Sequence, residues 1–280
     1  MRTAITGSAG LFGHGLVAAF STRHQVFPLT RADGDITDAT AIHAAIEKVH
    51  PDLIVHPAGN PDLDRCDADP PNAFLVNAEG TRNVMEAARR LGAGLVHIST
   101  DAVFDGRKTT PYVETDATGP ITVYGRSKLD AEAAANAYSR SWIIRVPVLF
   151  GPGKTNFVEK GLRKLMAGVT YKVASDQMGC AFHTVDAGLK IMEIVESGRY
   201  GLYHLANQGA CTRYELARAA AEFAGLDPAK IIGVPDAQME RRVPRLKYSV
   251  LAMKALEAAG IAPPRTWQES LAEYVGTVKL

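Results

Sequence analysis

Gly7, Gly10 and Gly13 stand three residues apart in the segment TGSAGLFG, between a short apolar run, Thr3–Thr6, and a helix-like stretch, Leu11–Phe20. A strand, a glycine turn and a helix in that order constrain the fold strongly. Glycines without Cβ atoms let the backbone turn tightly and come close to a pyrophosphate. The helix start then offers that anion free N–H groups and a partial positive charge. A glycine triplet alone also occurs in turns that hold nothing; its place between the first strand and the first helix favours a dinucleotide site.

The rest of the chain repeats the rhythm. Strands are expected at Gln25–Leu29, Leu53–His56, Leu95–Ser99, Trp142–Val146 and Tyr203–Ala206. Helices are expected at Ala39–Val49, at Pro71–Leu91 (one long helix with Gly92 and Gly94 beyond its end), and at Ser127–Tyr138. Further helices fit Asn156–Met166, Val185–Glu196 and Arg213–Ala224. Near-continuous apolar strands alternating with amphipathic helices imply a parallel sheet covered on both faces. The expected fold is α/β: a Rossmann-type doubly wound sheet over residues 1–150, with a smaller C-terminal α/β substrate domain over residues 151–280. Residues 183–207 are expected to rejoin the first unit.

Composition excludes several classes. The chain has 280 residues, 46% of them hydrophobic, and a formal net charge of +1, so nucleic acid is a poor partner. No apolar run reaches the roughly 18–20 residues of a membrane span. The first residues run directly into the glycine turn without a leader, which points to a cytoplasmic protein. Cys66, Cys180 and Cys211 lie far apart, and no zinc-binding spacing is present, so no metal is expected. His56 and His97 fall on apolar strand patterns and read as core residues rather than ligands. Gly151-Pro152-Gly153-Lys154-Thr155 ends like a P-loop, but that motif needs glycine where Val148 stands.

The end of the second strand reads Leu29-Thr30-Arg31, with no acid before Asp33. An NAD site usually carries an acid there. A hydroxyl and a guanidinium suit a 2′-phosphate, which favours NADP(H) and leaves NAD(H) open. Asp35 and Ile36 are placed to hold the adenine.

Of nine tyrosines, only Tyr124 has a lysine four residues on, Lys128. A helix turns both toward one cleft. A free phenol has a pKa of about 10; the neighbouring ammonium is expected to lower it, so that the phenol can give a proton to a carbonyl as hydride arrives. Lys128 can also anchor the nicotinamide ribose. Ser99-Thr100-Asp101 ends the strand that lies between the two motifs, and Thr100 can hold the carbonyl oxygen.

At these residues the chain resembles the extended short-chain dehydrogenases/reductases and, within them, the dTDP-4-dehydrorhamnose reductases. HISTDAVFDG (97–106), PYVETDATGPITVYGRSKLDAE (111–132) and the Asp33–Asp38 segment carry the likeness, which spans nearly the whole chain. The resemblance implies cofactor contacts from Gly7, Gly10, Leu11, Phe12, Gly13, Thr30, Arg31, Asp35, Ile36, Ala58, Gly59, Asn77, Ser99, Tyr124 and Lys128. It implies substrate contacts from Asp101, Val103, Phe104, Asn156, Gln177 and Arg242. It implies a nucleotide-activated deoxysugar as substrate, reduced at a 4-keto group, and a homodimer is one assembly open to it.

The chain departs from that family at Ala102 (usually Tyr), at Val148 (usually Trp nearby), at Ala181-Phe182 (usually Pro-Thr) and at Val243-Pro244 (usually Arg-Pro). All four lie on the substrate side. RVPVLFG (145–151) also resembles the regulatory β subunit of methionine adenosyltransferase, an NADP-binding partner protein. A nucleotide-sugar 4-epimerase would use the same Thr/Tyr/Lys set with a tightly held NAD.

Overall fold

The computed structural model describes residues 1–278. Its first part runs β1 (Arg2–Ile5), α1 (Leu11–Phe20), β2 (Gln25–Pro28), α2 (Ala39–Val49), β3 (Leu53–His56), the short α3 (Leu63–Ala68) and α4 (Pro70–Phe74), α5 (Gly80–Leu91), β4 (Gly94–Thr100), α6 (Val123–Asn136) and β5 (Ser141–Val146). Then follow β6 (Val148–Phe150), α7 (Phe157–Met166), β7 (Tyr171–Ala174), β8 (Met178–Gly179), β9 (Ala181–His183), α8 (Thr184–Glu196), β10 (Gly201–His204), β11 (Cys211–Thr212), α9 (Arg213–Phe223), β12 (Ile231–Val234), α10 (Lys254–Ala258) and α11 (Trp267–Thr277).

Six strands form one sheet in the order β2-β1-β3-β4-β5-β10, with every neighbouring pair parallel. The doubly wound sheet inferred from the alternation is therefore present. The chain moves from β1 outward to β2, then crosses to β3 on the other side of β1. This reversal opens a crevice at the carboxyl ends of β1 and β3.

Each sheet face has its own core. Ile5, Val55, Val96, Ile98 and Ile144 bury one face against α1 and α8, through Leu16, Phe20, Ile191 and Ile194. Ala4, Ile54, Leu95 and Ile143 bury the other against α2, α5 and α6, through Ile42, Ile46, Val84 and Ala135. The smaller pairs β6/β9, β7/β12 and β8/β11 lie outside this sheet. Helices α7, α9 and α11 surround a separate core that includes Phe150, Leu162, Leu216, Trp267 and Leu271.

The expected helix over Pro71–Leu91 is continuous but not uniform. A π-helical turn at Leu75–Glu79 separates α4 from α5. Such a wide turn admits an extra residue and re-aims side chains; here it turns Asn77 into the core, where it is 1% exposed. Gly92 ends α5 in the left-handed conformation at φ 65°, as the glycine after the helix suggested. Helix α6 begins four residues earlier than expected, capped by Thr122, whose hydroxyl accepts from the Gly125 N–H. Tyr124 thus belongs to the first turn of the helix.

A buried ion pair ties α6 to the sheet. The Arg145 guanidinium on β5 donates to both Glu132 oxygens, from Nε at 2.8 Å and Nη2 at 2.7 Å. Ser99 Oγ on β4 donates to the same carboxylate at 2.5 Å. The parallel register places Ser99 directly beside Arg145. Removing one partner of a buried pair strands the other charge, at about 3–5 kcal/mol. Glu132→Leu is therefore expected to lose roughly that much stability in urea unfolding, and adding Arg145→Leu should recover most of it. An unchanged midpoint in the single variant would contradict this.

Candidate active site

One cleft of about 1560 Å³ runs from the carboxyl end of the sheet to the α7/α9 side of the molecule. Sites for a single small ligand span roughly 300–1,000 Å³, so this cleft has room for two large ligands side by side.

The turn between β1 and α1 forms one end. Gly7 lies at φ 57°, and a Cβ there would fall 2.8 Å from the Ala58 Cα beyond β3. A Cβ on Gly13 would fall 2.3 Å from the Gly7 carbonyl oxygen. The glycines are thus needed for the turn, the strand crossing and the seating of α1. Among the described residues no side chain caps α1 at Gly10, which leaves its first N–H groups for an anion. Leu11, Phe12, Ala58 and Gly59 line the same end.

Beyond β2, Thr30 and Arg31 line the cleft, each held by an acid. The Thr30 hydroxyl donates to Asp33 at 2.7 Å. The Arg31 Nη2 stands 2.7 Å from Asp35 Oδ2, with the arginine side chain 86% exposed. An ion pair so exposed contributes about 0–1 kcal/mol, weak enough for a phosphate dianion to draw Arg31 away. Asp35 also accepts from the Thr37 N–H and hydroxyl through its other oxygen, so its carboxylate shapes the loop. Ile36 lines the cleft from the edge of the core.

Asn77, re-aimed by the π turn, clamps the loop after β3. Its Oδ1 accepts from the Asn60 N–H at 2.7 Å, and its Nδ2 donates to the Asn60 carbonyl and to Ser127 Oγ. Ser99 borders the cleft, but its hydroxyl is committed to Glu132.

Thr100, Asp101, Tyr124 and Lys128 meet in the middle. The Thr100 hydroxyl donates to Asp101 Oδ1 at 3.1 Å and accepts from the Ala102 N–H. Burial pushes the Tyr124 phenol well above its ordinary pKa; the nearby Thr100 hydroxyl opposes this, and the Asp101 carboxylate adds to it. The expected lowering by Lys128 is not found. Tyr124 is turned to Thr100, whereas the Lys128 ammonium is buried and points to His97 Nε2 at 3.3 Å. Burial lowers that ammonium from 10.5 to about 8, against the pull of Glu132. Burial likewise raises the Asp101 carboxyl, opposed by Ser249 and Arg213.

Gln177 lines the far end with Arg213, Arg241 and Arg245. Among the described residues the Arg213 Nη1 is buried without a hydrogen-bond partner, and its guanidinium lies 5.7 Å from the centre of the Phe157 ring. Lys160 and Lys164, one turn apart on α7, add further positive charge. Arg241 and Arg245 flank the Val243-Pro244 departure in the sequence and are near enough there to meet a diphosphate; Arg213, Lys160 and Lys164 carry weaker sequence signals, an arginine opening a helix and lysines four residues apart.

Four expected substrate residues stand elsewhere. Val103 and Phe104 are fully buried, Phe104 being stacked on Tyr112 at 4.1 Å, because the turn after β4 directs them into a core cluster. Asn156 caps α7 and donates to the Tyr274 hydroxyl at 2.7 Å, so it serves packing. Arg242 points outward and pairs with Asp67 at 3.3 Å.

A glycine-cradled anion end, a Thr/Tyr/Lys centre and a cationic far end together define a dinucleotide-dependent oxidoreductase of the short-chain type. The chain belongs to the family whose model is described as the RmlD substrate binding domain, which matches residues 1–280. It is 36% identical to the spore coat polysaccharide biosynthesis protein SpsK of Bacillus subtilis, over 98% of this chain and 96% of that one. It is 34% identical to a dTDP-4-dehydrorhamnose reductase of Mycolicibacterium smegmatis, covering 99% and 86%. Among solved structures, the dTDP-4-dehydrorhamnose reductase of Bacillus anthracis in complex with NADP superposes with a TM-score of 0.95 at 28% identity, covering 99% of both chains.

The Lys128 charge has a consequence for stability. With the folded pKa at about 8 against 10.5, the full cost of burying the charge is present below pH 8. It shrinks as pH rises toward 10.5, where the unfolded chain also loses the proton. Lys128→Met should therefore raise stability at pH 7 by roughly 1–3 kcal/mol, with the gain fading toward pH 10. Denaturant unfolding at the two pH values checks this; a loss of stability at pH 7 would contradict it.

Proposed function

We propose that this protein is an NADPH-dependent reductase of the 4-keto group of a nucleotide-activated deoxysugar, of the dTDP-4-dehydrorhamnose reductase type, working in the cytoplasm. The observation that carries this reading is the convergence of Thr100, Tyr124 and Lys128 in a cleft whose one end is a glycine-cradled anion site. The relatives' names supply the sugar class.

The residues present fit the cofactor: the cradle at Gly7 and Gly13 is one that a Cβ would fill, and Arg31 is held only by an exposed pair. Gly10, Leu11, Phe12, Ala58 and Gly59 would border the pyrophosphate, Thr30 and Arg31 the 2′-phosphate, Ile36 the adenine. The cofactor-binding part comprises residues 1–150 with 183–207, and the remainder of 151–280 holds the sugar nucleotide. Bound NADPH supplies the hydride.

Thr100 and Tyr124 flank the place where the ketone oxygen would lie. The single Thr100 proton, given to Asp101 in this geometry, can turn to that oxygen. Tyr124 then gives its proton to the oxygen as negative charge develops there. A phenol held high stays protonated throughout the neutral range, which suits a donor in the direction of reduction. Lys128 would anchor the nicotinamide ribose. Arg213, Arg241 and Arg245 would meet the nucleotide diphosphate, where their fork-shaped donors match phosphate oxygens, with Gln177 beside them.

The test is NADPH oxidation, followed by absorbance, with dTDP-4-dehydrorhamnose and related 4-ketosugars. The wild-type protein should consume NADPH and ketosugar one for one. Tyr124→Phe should cut kcat by roughly 100- to 10,000-fold with NADPH affinity nearly unchanged. No oxidation with any ketosugar of the panel would overturn the reading, and a fully active Tyr124→Phe would overturn the role of Tyr124.

A further inference from the structure

Beneath Lys128 lie two fully buried histidines that the mechanism above does not use. His97 on β4 and His56 on β3 stand side by side in the parallel register, both 0% exposed, with ring centres 5.7 Å apart. The hydrogen bonds around them fix their tautomers. Thr81 donates its one hydroxyl proton to the Asn77 carbonyl at 2.7 Å. It can therefore only accept from His56, so His56 Nε2 carries the proton. His56 Nδ1 is then the acceptor, and takes the Thr6 hydroxyl proton at 2.7 Å. His56 is neutral and fully paired.

His97 differs. Its Nε2 faces an ammonium, which can only donate, so Nε2 accepts and Nδ1 bears the proton. That Nδ1 is buried with no hydrogen-bond partner among the described residues. An apolar side chain on this strand would avoid an orphaned buried N–H, which is costly. The imidazole therefore gives something up for the sake of its other nitrogen. Lys128 Nζ has no other hydrogen-bond partner among the described residues.

We propose that His97 is a positioning residue for Lys128, its neutral Nε2 accepting from the ammonium and holding it in place below the cleft. This rests on the reading of Lys128 as part of a reductase site. The groups around the pair are few. His56 comes from β3. Tyr124 and Glu132 come from α6, with Glu132 committed to Arg145 of β5 and to Ser99. Asp101 follows β4, and Asn77, Thr81 and Ser127 are uncharged. Burial, the Lys128 charge and His56 all keep His97 well below the usual imidazole range, so it stays an acceptor across the neutral range. An acceptor favours the charged amine; without it, Lys128 would lose its proton at lower pH.

Three variants separate this role from packing. The Gln side-chain oxygen can take the place of Nε2, the Asn oxygen that of Nδ1, and Leu offers no acceptor. His97→Leu and His97→Asn should lower kcat/KM by roughly 10- to 100-fold, the range for losing a hydrogen bond to a charged group. Both should move the alkaline limb of the pH profile down by about one to two units. His97→Gln should restore both. An independent readout needs no turnover: titration of the Lys128 Cε resonance in ¹³C-lysine-labelled protein, assigned with Lys128→Met. The same downward shift is expected in the Leu and Asn variants and not in the Gln variant. Should the wild-type protein reduce no ketosugar, the functional reading fails while this titration still decides the role of His97. A Lys128 titration unmoved by His97→Asn, or moved equally by His97→Gln, would overturn the proposal.

Discussion

The Glu132–Arg145–Ser99 knot is the interaction on which the centre of this molecule depends. Tyr124, Lys128 and Glu132 are spaced four apart on α6 and so form one stripe. Glu132 anchors the lower end of that stripe to two adjacent strands. Thr100 follows Ser99 directly in β4, so the contact that pins the helix also sets the distance between Thr100 and Tyr124. A shift of α6 along the sheet would break three charge-assisted hydrogen bonds in a dry interior, where they are strongest.

This knot belongs to a wider change of character along the sheet. On the face under α6, the strands are aliphatic at their amino ends, at Ala4, Ile54, Leu95 and Ile143. Two residues further on the same face becomes polar, at Thr6, His56, His97 and Arg145. Helices α5 and α6 meet that layer with Thr81, Lys128 and Glu132, and Asn77 joins them from the π turn. Burial then acts in opposite senses on the two groups of the motif, holding the Tyr124 phenol up and the Lys128 ammonium down. On the opposite face a large cluster of buried aliphatic and aromatic side chains offsets that cost.

Local patterns in the sequence reveal much of this. The six sheet strands, the glycine turn and the Tyr124–Lys128 spacing are each visible within a few residues, because strand and helix periods and missing Cβ atoms are local properties. The unforeseen features depend on distant partners. Ser99 and Glu132 are 33 residues apart, so the commitment of the serine hydroxyl to the core leaves no local mark. The π turn at Asn77 answers to Asn60 and Ser127. Val103 and Phe104 follow Thr100 so closely that they suggest cleft positions, yet the turn after β4 sends them into the core. The phenol was expected to be lowered because helical spacing tells that Lys128 shares a face with Tyr124, not that its amine points to His97. Arg213 leaves no such mark either, because in sequence an arginine at a helix start is no different from a surface cation, and its burial comes from distant packing.

The most direct test of hydride delivery at this centre is isotopic. NADPH carrying deuterium at the transferring position of its nicotinamide C4 would be turned over with dTDP-4-dehydrorhamnose, and the sugar product examined by mass spectrometry and NMR. One deuterium per product molecule, located at carbon 4 of the sugar, is the result expected of a Thr100–Tyr124–Lys128 reductase. A reduced product without deuterium at carbon 4, or oxidation of the cofactor with the sugar unreduced, would contradict it.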